Sequence, residues 1–183
     1  ELFTGNVLMV MAWAGRKIGT LALLRAWAIV FAGNMVGAVG TAALVFLGGQ
    51  HLLADGAVGV IALGIAEAKA SLPFARAFFQ GVLCNVLVCL AIWLAMGGRS
   101  VSDKILAIVF PITAFVAMGF EHSIANWFFL PYGFLIAPHG AVPLAGIATN
   151  LAAVTAGNVV GGVLPAAPAL PAPAVAGQHT IVV

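Results

Sequence analysis

Three stretches of this chain, residues 26–48, 77–96 and 141–164, run without a single acidic or basic side chain. A helix needs about 20 apolar residues to cross the hydrocarbon core of a bilayer, and each stretch is that long. A water-soluble globule has no interior large enough to hide three of them. Composition agrees: 7% of the residues are charged, against roughly 25% in soluble domains, and the mean hydropathy is +1.18. A net charge of +2 with no basic stripe leaves nothing to neutralise a nucleic-acid backbone. The chain reads as an all-α integral membrane protein whose first partner is the lipid bilayer.

The remaining segments are less regular. Residues 7–14 form an apolar run too short to span, stopped by Arg16 and Lys17. Residues 49–73 hold His51, Asp55, Glu67 and Lys69 and read as a polar connection. Residues 105–120 and 124–137 are two apolar halves separated by Glu121, His122 and Ser123, with Pro111 and Pro131 removing backbone donors inside them. Neither half spans alone, and together they are too long for one straight helix. A helix broken near the bilayer midplane is expected, a geometry tolerated only where the irregular backbone is buried in protein or lines a cavity. Cys84 and Cys89 lie on different faces of one run, match no zinc or redox spacing, and read as small core residues.

Charge placement orients the spans. Arg16, Lys17 and Arg25 precede one run, and Arg99 and Lys104 follow the next. The positive-inside bias puts both loops in the cytoplasm, the 49–73 connection and the Pro138–His139 loop outside, and the C-terminus in the cytoplasm. Residues 1–164 are expected to form the membrane domain. Residues 165–183, with the run PAAPALPAPA, are expected to be a disordered Pro/Ala-rich tail.

Two pairs of segments echo each other. Gly33-Asn34-Met35-Val36-Gly37 matches Gly157-Asn158-Val159-Val160-Gly161, and Glu1 and Asn6 share the spacing of Glu121 and Asn126. Offsets of 124 and 120 residues fit one duplication. An odd number of spans per copy would invert the repeats, which places a substrate site at their interface near the midplane. By that symmetry Glu1 to Asn6 is a second helix break, and the half preceding it is expected to lie before the chain begins. The glycines suit close helix packing; the asparagines need buried partners.

His122 is the candidate that matters most, being the one histidine expected within the hydrocarbon zone, where an ionisable residue marks function by default. Glu121 is expected to be structural, accepting backbone donors freed by the break. Asn85 shares a face with Val88, Phe115 lies two turns before His122, and Lys69 is placed to raise the local anion concentration on the external side. His51, His139 and His179 fall in connections or the tail. An intramembrane hydrolase is disfavoured because adjacent Ser123 and His122 do not face one another on a helix. No metal or cofactor motif is present, and a non-transporting scaffold would not require a duplicated polar break.

Several of these segments resemble the formate/nitrite transporter family: Glu1-Leu2-Phe3-Thr4-Gly5-Asn6, Gly33-Asn34-x-Val36-Gly37, Asn85-x-Leu87-Val88-Cys89-Leu90-Ala91 and Gly119-Phe120-Glu121-His122-Ser123-Ile124-Ala125-Asn126. The resemblance covers residues 1 to about 164. It implies an aquaporin-like inverted-repeat helical bundle with two broken helices, the first helix and a half missing here. It implies homopentamers in the bacterial inner membrane that pass formate, nitrite or hydrosulfide, with formate leading. It also implies His122 as the central pore histidine, Thr4, Asn85, Lys69 and Asn158 as polar pore and vestibule positions, and Leu2, Phe3, Val88 and Phe115 as constrictions. Glu121 and Asn126 would support the break.

Overall fold

The computed structural model describes residues 2–137 and 140–164; expectations about Glu1, His139, His179 and the Pro/Ala-rich tail fall outside these residues. Every regular element among the described residues is a helix. A short 3-10 turn, Asn6–Leu8, leads into α1 (Met9–Ala14), followed by α2 (Thr20–Leu47), α3 (Ala57–Ala70), α4 (Phe74–Gly97), α5 (Val101–Ala117), α6 (Ser123–Ile136) and α7 (Leu144–Val163).

The three uncharged stretches become α2, α4 and α7, the helices long and apolar enough to cross a membrane. α2 begins earlier than its uncharged stretch, at Thr20, with exposed Arg25 on its first turns. A long cationic side chain can reach the interface from there. The charged residues therefore did not mark the helix boundary.

The break expected between residues 105 and 137 is present, with Glu121 and His122 inside it. Pro111 and Pro131 both lie inside continuous helices. The interruption comes at Gly119, whose φ of 65° is the left-handed conformation glycine adopts without a Cβ clash. Phe120 N–H bonds the Phe115 carbonyl at 3.0 Å and Gly119 N–H bonds that of Val116 at 3.1 Å. That pair is a Schellman closure, so α5 ends with its last carbonyls paired. At its other end α5 starts with a capping box, in which Ser100 and Asp103 exchange hydrogen bonds of 2.9 and 3.1 Å.

One expectation is overturned. Residues 49–73, read as a polar connection, contain the 14-residue α3. Of the three charges in that stretch, Glu67 and Lys69 sit in the last turns of an otherwise apolar helix, and Asp55 precedes it. α3 packs on α6, where Gly133 lets fully buried Ala66 approach so closely that a Cβ at Gly133 would collide with it.

Ahead of the 3-10 turn, Leu2 to Gly5 form turns. Trp27 of α2 donates to the Asn6 carbonyl at 2.8 Å, and Val7, Leu8 and Val10 pack with Cys89 of α4. α1 is thereby fastened to both spans. α4 and α7 pack tightly along their length: a Cβ at Gly157 would strike the Phe78 carbonyl oxygen, and one at Gly161 that of Val82. The glycines of the second repeat copy are therefore the contact surface, as small-residue packing in membranes requires.

Gly161→Val should lower the thermal stability of the detergent-solubilised protein by about 1–3 kcal/mol or more, the cost of overpacking a closed contact. Gly64 on α3 meets nothing within 4 Å, so Gly64→Ala should raise stability by about 0.5–1 kcal/mol through lost chain entropy. Paired thermal melts check both signs.

Candidate functional site

A severed helix leaves orphan N–H groups at the start of its second half, and in lipid each must find a protein partner. Ser123 N–H donates to Asn158 Oδ1 of α7 at 2.8 Å. Ala125 N–H donates to His122 Nδ1 at 3.3 Å, making His122 the N-cap of α6. The Asn158 amide also donates to the carbonyls of Glu121 (3.0 Å) and Gly81 (2.9 Å). One side chain therefore ties the break, α4 and α7 together. Asn85 of α4 extends the tie by donating to the Asn158 carbonyl at 2.8 Å, and the Ser123 and Thr155 hydroxyls pair at 2.7 Å. Asn85 and Asn158 are fully buried.

Glu121 departs from the expected role of accepting freed backbone donors. Its carboxylate accepts side chains: Lys69 Nζ at 2.7 Å, Asn126 Nδ2 at 2.6 Å and Asn150 Nδ2 at 3.3 Å. Asn158 and His122 have already taken the backbone groups. Lys69, expected to raise the anion concentration on the external side, is ion-paired with Glu121 and lies 5.7 Å from the centre of the Phe129 ring. α3 runs deep enough for its C-terminal end to bring the ammonium to the break.

His122 stands at the break between α5 and α6, beside the turn that carries Phe3. The Phe115 ring is stacked 6.0 Å away at 24°, and the Phe3 ring lies edge-on at 6.2 Å and 86°. Because Nδ1 accepts the Ala125 N–H, that nitrogen carries no proton in the capped state, and Nε2 is the donor. Leu2 and Val88 are buried, whereas Thr4 is exposed on the turn after Phe3. The sequence candidates thus sort into three groups. Lys69, Glu121 and Asn126 form a charged network; Asn85 and Asn158 form a backbone clamp; Phe3 and Phe115 flank the imidazole. Asn150 and Thr155 were not singled out from sequence, although an asparagine inside an uncharged span was a visible signal.

Severed spans converging on one capped imidazole define an all-helical membrane protein of the channel-like, broken-helix class. The chain belongs to the formate/nitrite transporter family, whose profile, described as Formate/nitrite transporter, matches residues 1–169. The formate channel FocA of Haemophilus influenzae is 37% identical over 182 residues, an alignment covering 90% of this chain and 64% of that one. The nitrite transporter NirC of Salmonella typhimurium is 41% identical over 167 residues, covering 90% of this chain and 60% of that one. A solved structure described as a pentameric formate channel with formate bound superposes with a TM-score of 0.77 at 33% identity, covering 80% of this chain and 64% of its own. The chain spans under two thirds of the length of these relatives.

The Lys69–Glu121 pair generates a stability test, since both side chains are largely shielded, at 16% and 4% exposure. Lys69→Met strips a buried carboxylate of its counter-charge and should cost about 3–5 kcal/mol. Lys69→Met/Glu121→Gln removes both charges, keeps an acceptor for Asn126, and should recover more than half of that loss. Thermal melting of the solubilised protein reads both, and a double variant no more stable than the single would contradict the pairing.

Proposed function

We propose that this chain forms the pore-lining part of a homopentameric channel that passes small monovalent anions across the bacterial inner membrane, with formate as the substrate. The C-terminus is assigned to the cytoplasm on the placement of Arg16, Lys17, Arg25, Arg99 and Lys104. The observation that carries the reading is His122: a tautomer set by its own cap, between two aromatic rings, in a gap between half-helices. The relatives named as formate channels support the substrate. Nitrite is the second reading, favoured by the 41% identity to a nitrite transporter.

The chemistry follows from two costs. A bare anion at an apolar constriction costs several kcal/mol even after relaxation. Protonating a carboxylate of pKa near 4 at pH 7 costs about 4 kcal/mol, at 1.36 kcal/mol per unit. A donor at the constriction lowers the first cost: a hydrogen bond to a charged group contributes about 1.5–3 kcal/mol. In its capped state His122 supplies that donor through Nε2–H. It is a poor proton source in the same state, because releasing Nε2–H would leave an imidazolate. Becoming an imidazolium would put a proton on Nδ1 and strand the Ala125 N–H, at about 1–3 kcal/mol. His122 therefore acts as a fixed hydrogen-bond donor, and any proton that travels with formate comes from solvent.

Lys69 and Glu121 together carry no net charge, yet the pair is oriented, with the ammonium the more exposed end. An anion approaching from that side meets the positive end first. Leu2, Phe3, Val88 and Phe115 are assigned to the dry walls and Thr4 to the polar edge of the first break. Asn85 and Asn158 hold the wall in shape rather than touching the anion, because both are buried and the Asn158 amide is already committed to the protein backbone.

Full-length protein in liposomes tests the assignment through formate flux measured from pH 5 to pH 8. His122→Phe removes the donor and should reduce flux at pH 7 by about 10- to 100-fold, the equivalent of a lost charged hydrogen bond. The deficit should narrow toward pH 5, where more of the substrate is neutral. Flux unchanged at every pH would remove His122 from the mechanism. Nitrite flux far above formate flux in the unmodified protein would reassign the substrate.

A further inference from the structure

Asn150 of α7 is 1% exposed, and both its amide oxygen and its amide nitrogen are hydrogen-bonded. Its Oδ1 accepts from Asn126 Nδ2 at 2.8 Å. Its Nδ2 donates to the Lys69 backbone carbonyl at 2.9 Å and to Glu121 Oε2 at 3.3 Å. Lys69 is therefore reached twice from one residue. The backbone end is held through its carbonyl in the last turn of α3. The ammonium end is held through the carboxylate it pairs with.

Without these restraints the long lysine side chain would sample many rotamers, and the positive end of the pair would have no fixed position. We infer that Asn150 is a positioning residue that fixes the Lys69–Glu121 pair in α7's frame and so sets where an approaching anion meets positive charge; this rests on the anion-channel reading above.

Two observations separate this role from general packing. The position matching Asn150 in the first repeat copy, at the offset relating Gly157 to Gly33, is Ala26. The feature is thus absent from the duplicated scaffold and belongs to the copy that carries Glu121. Asn158, two turns along the same buried face of α7, spends its side chain on backbone atoms alone. Asn150 divides its own between a backbone carbonyl and charged or amide side chains.

The test measures formate uptake against concentration at pH 7 in liposomes carrying the full-length protein. Asn150→Leu keeps the volume and removes all three bonds. The KM for formate should rise about tenfold, the lower end of what a focused local charge contributes, with the maximal rate changed less than about twofold. Asn150→Ala, which removes the amide without adding a charge, should raise KM in the same direction and serves if the leucine variant does not fold.

The same substitutions in the Lys69→Met/Glu121→Gln background should leave KM unmoved, because no charge remains to be positioned. An unchanged KM in the otherwise unmodified protein overturns the inference while saturable formate uptake leaves the channel reading standing. An equal KM shift in the charge-free background also overturns it, since packing alone would then be responsible. Absence of saturable uptake in the unmodified protein overturns the channel reading, and the inference with it.

Discussion

Satisfying the backbone of an interrupted helix without water is the constraint on which the structure turns. At the break after Gly119 the donors of α6 are met by two side chains, Asn158 from a neighbouring helix and His122 from the break itself. Asn158 can serve only if α7 runs close to α4 and to the break. That closeness is what Gly81, Gly157 and Gly161 permit. The glycine stripe, the buried amide and the capped histidine are thus parts of one solution. Loss of any of them would strand polar backbone in an apolar medium.

The cap also ties structure to chemistry. A histidine whose Nδ1 closes a helix has its donor face chosen by the fold. The same hydrogen bond that makes the break tolerable makes the imidazole a donor on its other side. Beside it, the charged network is assembled from α3, α6 and α7, with Glu121 receiving an ammonium and two amides. A carboxylate so surrounded keeps its charge in place, and Lys69 with it. The clamp around Asn158 and the network around Glu121 share the break but divide the labour: one holds backbone, the other holds charge.

Much of this was legible in the residues. The uncharged runs announced α2, α4 and α7, and the Glu121-His122-Ser123 interruption announced a severed helix at the right place. The Gly-Asn-x-x-Gly echo pointed to the α7 surface that packs tightly on α4. Pro111 and Pro131 lie within the two halves and end neither helix, whereas the left-handed turn at Gly119 ends α5. α3 was hidden because its charges cluster near one end, and a reading by polarity alone counts those charges without asking which turn they occupy. Asn150 was overlooked because one amide in a span carries no sign of its partners.

What the sequence determined by itself is what depends on composition along the chain: membrane residence, the number of long spans, the position of the polar break and the family to which its motifs belong. These follow from the free energy of moving side chains out of water, which is local and nearly additive. Which groups meet across the bundle was decided by the tertiary structure. Lys69 is separated from Glu121 by 52 positions, and Asn150 from the Lys69 carbonyl by 81. Only the packing of α3, α6 and α7 against one another brings them within bonding distance. Hydrogen bonds and ion pairs are short-ranged and directional, so no pattern of residue types along the chain can assign them.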